Sequence, residues 1–439
     1  MRRFALLIFV LAAGFGPLPA AAVDVEQVTS PGGITAWLVR DHRNPIINLR
    51  FAFRGGTALD PKGKEGLANL TSTVLDEGAG DMDSKTFQQT LGDKAIELGF
   101  DAGRDSFGGH LKTLTKNRDL AFRMLAMAVT EPRIDADPLE RMRAQILIGL
   151  KQDKEDPDTI ASERLMQALF PNHAYGRLAD GTEESVKAIT ADDIRGFVKR
   201  RFARDNLIVG VVGDIEPEML KTLLDKTFAK LPAKAEPWQL QEVKPETTGR
   251  ILVVEKNVPQ SKVVFADQGL KRDDPDYYIA YVMNRILGGG GFTSRLYAEV
   301  REKRGLAYSV HTSLYPFDAS ALILGGAGTA NARVGETVDV IRHEWTRMAA
   351  EGVTEKELED AKTYLTGAWP LRFSSSGRIA RMLVGMQISD LGIDYLDKRN
   401  ALIEAVTRAD IQRVAKKLLD PKRLTTVVVG KPEGVNATD

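Results

Sequence analysis

Apolar positions along the chain change their period in an order that occurs twice. Residues 46–53 (IINLRFAF) are rich in β-branched and aromatic side chains and predict a strand, closed by the Gly55-Gly56 turn. Residues 66–76 predict a helix. Phe87, Leu91, Ala95 and Leu98 recur at i, i+4, i+8 and i+11, the spacing of one helical face, with Gly99 placed as its cap. A strand over 107–111 and helices over 120–129 and 139–153 follow. Further on come a strand over 262–266, helices over 277–287 and 293–302, and strands over 308–314 and 321–324. A helix over 334–350 precedes another, opened by a Thr354-x-x-Glu357 capping box.

Self-similarity explains the recurrence. Residues 189–213 and 406–430 align without gaps at an offset of 217. Thr190, Asp193, Ile194, Lys199, Leu207 and Gly213 coincide with Thr407, Asp410, Ile411, Lys416, Leu424 and Gly430. Each copy runs from a Thr-x-x-Asp helix start, through a basic amphipathic helix, into a β-branched strand ending at Gly. Residues 231–249 hold three Pro among polar neighbours, the composition of an extended linker. The expected organisation is therefore a domain over 23–231, a linker over 232–249 and a homologous domain over 250–439. The fold class is α+β, each domain a mostly antiparallel sheet covered by helices on one face.

Composition narrows the chemistry. The 439 residues carry 60 Lys+Arg against 60 Asp+Glu, five His and no Cys, with 43% hydrophobic and 27% charged residues. Without Cys, disulfide frameworks, thiolate zinc sites and thiol catalysis are excluded. A balanced charge gives no electrostatic reason to expect nucleic acid. Residues 1–22 combine Arg2-Arg3, an apolar run over 4–13 and an Ala20-Ala21-Ala22 cleavage pattern, which predicts a signal peptide. The expected location is the periplasm or the exterior, with no membrane attachment after cleavage. No two of the five His lie closer than 32 positions, so the chain lacks the one-turn His pair of helical zinc sites.

Particular segments resemble a known family. In the first half these are Gly55-Gly56-Thr57-Ala58-Leu59-Asp60-Pro61 and Lys64-Glu65-Gly66-Leu67-Ala68. In the second they are Phe292-Thr293-Ser294-Arg295-Leu296, residues 301–309 (REKRGLAYS), Glu357-Leu358 and Ala361-Lys362. Over nearly the whole chain after residue 22, this resembles the pitrilysin/insulinase family of zinc peptidases, whose active members carry an inverted His-x-x-Glu-His motif. The positions of that motif hold Asn69, Ser72 and Thr73, and residues 141–150, where the family's third ligand would fall, contain no acid. An amide and hydroxyls are poor zinc ligands, and Ser72 is no general base at neutral pH. Asp76 and Glu77 form an unorthodox alternative for metal, outweighed by a solvated-loop reading.

The resemblance implies the non-catalytic subunit of a two-subunit bacterial member. This chain would bind no cofactor, zinc being expected in a partner subunit that bears the motif. Arg301 and Tyr308 match the pair that such a subunit donates to its partner's active site. Gly288, Gly289, Gly290 and Gly291 match a substrate-contacting glycine-rich loop. The implied substrate is an unfolded peptide. A structural core subunit, or an autonomous peptide-binding protein, stands as the alternative.

Overall fold

The computed structural model describes residues 23–438; the expected signal segment, residues 1–22, lies outside them. Six strands form the first sheet: β1 (Glu26–Thr29), β2 (Thr35–Arg40), β3 (Ile46–Arg54), β4 (Glu97–Ala102), β5 (Ser106–Leu114) and β6 (Leu207–Gly213), in the order β1-β2-β6-β3-β5-β4. Five form the second: β7 (Ile251–Glu255), β8 (Gln260–Gln268), β9 (Ala307–Pro316), β10 (Ala321–Ala330) and β11 (Thr425–Gly430), in the order β7-β11-β8-β10-β9. With β1 set aside, the two orders correspond strand for strand. In each sheet one pair is parallel, β2 with β6 and β7 with β11, and the other pairs are antiparallel. The two homologous α+β halves expected from the duplication are present.

Local chemistry sets several of the helix starts. Thr190 with Asp193, Thr354 with Glu357, and Thr407 with Asp410 each close a reciprocal capping box. The periodic run over 87–98 is divided differently from expectation. Its helix, Ser84–Asp93, begins where the Asp83 carboxylate accepts from the Thr86 amide at 2.8 Å. The chain then turns at Ala95 (φ 50°) and enters β4, so Gly99 is a strand residue opposite His110 rather than a helix cap. Leu98 still reaches the same core as Phe87 and Leu91, by a strand instead of a helical turn. Such a short apolar run suits either period. The helix expected over 277–287 is α-helical at Tyr277–Asn284 and widens into a π-helical turn at Arg285–Gly289.

Each sheet packs one face on helices of its own half. Phe51, Phe53, Phe107 and Val209 meet Phe87, Phe122 and Phe228 in the first core; Val263, Phe265 and Ile323 meet Trp345 and Met348 in the second. The opposite faces are covered by exchange. The Pro157–Leu169 helix of the first half lies on β8 and β11, its Ala161, Leu165 and Leu169 buried with Val264, Ala266, Val427 and Val429. The Ser376–Ile388 helix of the second half lies on β3 and β6, burying Ile379, Leu383 and Met386 against Trp37, Val39 and Val212. Gly210 of β6 permits that approach, because a Cβ there would stand 2.9 Å from the Ala380 carbonyl oxygen.

Polar groups fix the exchanged elements in register. Arg54 of β3 donates to the carbonyls of Ile388 (2.8 Å) and Gln387 (3.2 Å), and Gln387 donates to the Val209 carbonyl at 3.0 Å. Fully buried Tyr175 donates to Asp105 at 2.7 Å while its oxygen accepts from the Ala319 amide at 2.9 Å. Within the second half, buried Arg295 forks onto Glu357 at 2.6 and 2.7 Å and donates to the Gly352 carbonyl at 2.8 Å. Burial alone would raise the Glu357 carboxyl; Arg295 and the Thr354 cap outweigh it and hold it at about 2.

Two outcomes follow. Tyr175→Phe leaves the Asp105 carboxylate and the Ala319 amide short of a partner, which costs about 1–3 kcal/mol; the urea midpoint falls, and an unchanged midpoint would remove the joint from the account. Glu357 ionises near 2 when folded and near 4.5 when unfolded. Its contribution is therefore complete above pH 4.5 and drains as pH drops toward 2, with a total of about 1–2 kcal/mol once solvent screening of the half-buried carboxylate is allowed for. Glu357→Gln should be less stable at pH 7 and show a flatter acid limb between pH 5 and 2; parallel limbs would contradict this.

Candidate functional site

The segment resembling the family's zinc helix is the Leu67–Val74 helix. Buried Asp60 holds its start, accepting from the amides of Gly66 (3.0 Å) and Ala68 (3.1 Å), and burial raises that carboxyl to about 7. Asn69 and Thr73 lie one turn apart and half-buried, but neither is offered to a metal. The Asn69 amide donates to Asp180 at 2.9 Å, the Thr73 hydroxyl to the Leu70 carbonyl at 2.9 Å, and the Ser72 hydroxyl to the Asn69 carbonyl at 2.7 Å. All three side chains are thereby absorbed into local hydrogen bonds.

The nearby acids do not replace the missing ligands. Burial, then the charge of Asp153, raises both Asp180 and Glu163. Asp153 lies one turn beyond the acid-free 141–150 stretch, a proximity the sequence pattern missed. Glu77 is bonded by Arg141 and by the Ser84 hydroxyl, so it belongs to an ion pair rather than an open loop. Burial raises Asp76 to about 6, and Gln88 donates to its carbonyl at 2.9 Å. Among the described residues, no group of three or more His, Asp or Glu is arranged to hold a metal ion. The residues present do not fit a zinc ion.

Arg301 and Tyr308 are placed together. The helical segment over 295–302 is π-helical from Tyr297 to Glu302 and is anchored at its start by the Arg295–Glu357 fork. Its exit is fixed by the Gly305 amide, which donates to the Arg301 carbonyl at 2.9 Å, and by the Leu306 amide, which donates to Val300 at 2.8 Å. The chain then enters β9, putting Tyr308 at the second position of an edge strand. The Arg301 guanidinium carbon lies 4.6 Å from the Tyr308 ring centre, 4.9 Å from Tyr297 and 6.0 Å from Phe292. Phe292 and Tyr308 are 72% and 78% exposed, so this aromatic frame opens to solvent. Among the described residues Arg301 forms no ion pair, although Glu299 on the same turn binds Lys303 and Arg304. Sequence reasoning missed the frame from Phe292 and Tyr297: Phe292 opens one of the family-like segments, but Tyr297 falls just outside it.

The four-glycine run is mostly constrained by packing. A Cβ on Gly288 would stand 2.5 Å from the Thr312 hydroxyl of β9, and one on Gly289 2.5 Å from the Asn284 amide nitrogen. Gly290 would meet the Arg285 carbonyl at 2.5 Å, whereas Gly291 (φ +55°) has open space around it. Only the Gly291 end, continuous with Phe292, borders the Arg301 frame. The remaining residues serve the close seating of a π-helical turn on β9.

Comparison with known proteins agrees with this picture. A family model described as "Peptidase M16 inactive domain" matches residues 188–365. The "Non-peptidase homolog YmxG" of Helicobacter pylori is 30% identical over 374 residues, covering 85% of each chain. An "Uncharacterized zinc protease" of Streptomyces coelicolor is 27% identical, covering 73% of this chain and 71% of its own. The crystal structure of a peptidase M16 inactive domain from Pseudomonas fluorescens superposes with a TM-score of 0.87 at 28% identity, covering 95% of this chain and all of the other. With its motif positions occupied by Asn69, Ser72 and Thr73, the chain belongs to the M16 (pitrilysin/insulinase) peptidase family as an inactive homologue.

Proposed function

We propose that this chain is the zinc-less subunit of an exported heterodimeric peptidase. Its partner carries the His-x-x-Glu-His motif and the zinc, and the two enclose an unfolded peptide. The observation that supports this most is the contrast between the two halves. The motif positions are satisfied within the chain, Asn69 by the Asp180 carboxylate and Ser72 and Thr73 by their own helix backbone, whereas among the described residues Arg301 keeps an unpaired guanidinium beside the exposed rings of Phe292 and Tyr308. A structural core subunit has no use for such a frame. Arg301 would hydrogen-bond a substrate carbonyl, and the Tyr308 hydroxyl would donate to the oxyanion that develops at the scissile carbon. The Gly291 end of the glycine-rich loop would lie along the same peptide.

Purified alone, the chain should bind no stoichiometric zinc and cut no peptide; mixed with the motif-bearing partner, it should form an active complex. Arg301→Ala and Tyr308→Ala should each lower turnover about 10²–10³-fold with the complex intact by gel filtration. Hydrolysis by the lone chain, or full turnover in both variants, would overturn the proposal. Export through residues 1–22 belongs to the same reading. The periplasmic or secreted protein should begin near Val23 by N-terminal mass mapping, and an intact Met1 would refute cleavage.

A further inference from the structure

The two exchanged helices occupy equivalent places and differ in what their first turns hold. The Pro157–Leu169 helix carries its own anion: the Asp156 carboxylate accepts from the amides of Asp158 (3.4 Å) and Thr159 (3.2 Å). Lys262 of β8, beneath it, is bonded by Asp158. The Ser376–Ile388 helix starts Ser375-Ser376-Gly377, with no acid in its first turn and no side-chain cap hydrogen bond. Its amide end, where the helix dipole favours negative charge, is left without a carboxylate.

Around that end the first sheet supplies cations instead of an anion. Arg50 of β3 and Lys112 of β5, with Arg378 and Arg381 of the helix, line a cleft of about 440 Å³ between the two halves. Two carboxylates reach it: Glu97 bonds Lys112 at 2.8 Å, and Asp101, largely exposed, lies 3.6 Å from Arg50. Among the described residues, Arg378 and Arg381 form no ion pair and no side-chain hydrogen bond. Burial, and then the charge of Arg381, lower the pKa of Arg50, which places like charges across the cleft. His110 completes the floor, its pKa lowered by burial and by Arg50.

We infer that this cleft binds a peptide carboxylate, either a C-terminus or an acidic side chain, in the place that Asp156 fills in the other half. The inference rests on the peptide-binding part of the proposed function and adds a substrate class to it. A carboxylate is the group the equivalent helix already holds. Guanidinium donors match its two oxygens, and charge-assisted bonds of this kind are about twice as strong as neutral ones. The cleft falls in the size range of small-ligand sites, which leaves room for the residues that flank the carboxylate.

Fluorescence polarisation on the full chain without partner tests this. The probe is a labelled unfolded peptide ending in Asp-Glu, compared with its amidated twin carrying Asn-Gln. The acidic peptide should bind about ten- to a hundredfold tighter. Arg378→Ala/Arg381→Ala should remove that advantage, and so should Ser375→Asp, which restores an internal carboxylate; both must melt as the parent does. Equal affinities, no binding of either peptide, or an advantage retained in both variants would overturn the site. Inorganic phosphate that binds more tightly than the acidic peptide would identify a free phosphate as ligand and overturn the peptide assignment. Acid preference in the lone chain, without hydrolysis by the complex, would sink the subunit role alone. An active complex whose KM for acidic peptides ignores Arg378→Ala/Arg381→Ala would sink this site alone.

Discussion

The structure depends on an exchange of helices across the duplication. A sheet of β-branched and aromatic residues has two faces to cover, and each half supplies enough helices for one. The other face is buried by a helix that departs to the opposite half: Leu165 and Leu169 lie against β8 and β11, and Ile379 and Leu383 against β3 and β6. Burying one such side chain contributes about 1.5–3 kcal/mol, so neither half keeps its sheet dry without the other. The polar contacts at the same seams, from Arg54 and Tyr175, set register on faces that apolar packing already holds together.

This constraint decides what could change during divergence. The Leu67–Val74 helix is held by Asp60 at its amide end and by buried Leu67, Leu70 and Val74 along its length. Those contacts are independent of the residues at 69, 72 and 73, so metal binding could be lost without loss of the helix. The Arg301 segment is held from behind, by Arg295 on Glu357 and by the Gly305 exit, and these anchors keep the guanidinium directed outward whatever it meets. One π-helical turn takes in the first two glycines of the run and a second follows it, and such widened turns recur at functional positions.

Much of this was legible in the chain, for definable reasons. Capping boxes at Thr190, Thr354 and Thr407 are local, since a hydroxyl and a carboxylate three residues apart answer each other without help from elsewhere. The strand over 46–53 is marked by its β-branched and aromatic residues and the closing Gly55-Gly56 turn, and the helix over 139–153 by its length. The 87–98 run misleads because Leu98 continues the helical spacing while also alternating with Ile96 as a strand does, and Ala95 must adopt a left-handed conformation to make the change. The exchanged helices left no local mark of their destination. Ile379, Leu383 and Met386 would suit a core in either half, and only the fold assigns them to β3 and β6. The aromatic frame of Arg301 is similarly non-local, since Tyr308 arrives on a different element from Phe292 and Tyr297.

Duplication also supplies an internal reference for unsatisfied polar groups. A buried or half-buried donor normally finds an acceptor within its own chain, and the first zinc-motif positions follow that rule to the last hydroxyl. Where one half satisfies a position and its counterpart does not, the difference has a meaning that neither half shows alone. Asp156 closes the amide end of one crossing helix, and Lys262 is neutralised beside it. At the other, serines leave the amide end open, and four cations gather where two carboxylates reach. Mutual repulsion among those cations is a standing cost to the folded chain, offset only in part by Glu97 and Asp101. An arrangement of that kind is stable enough to persist because the apolar exchange beneath it is large, and it is relieved when an anion from outside the chain enters.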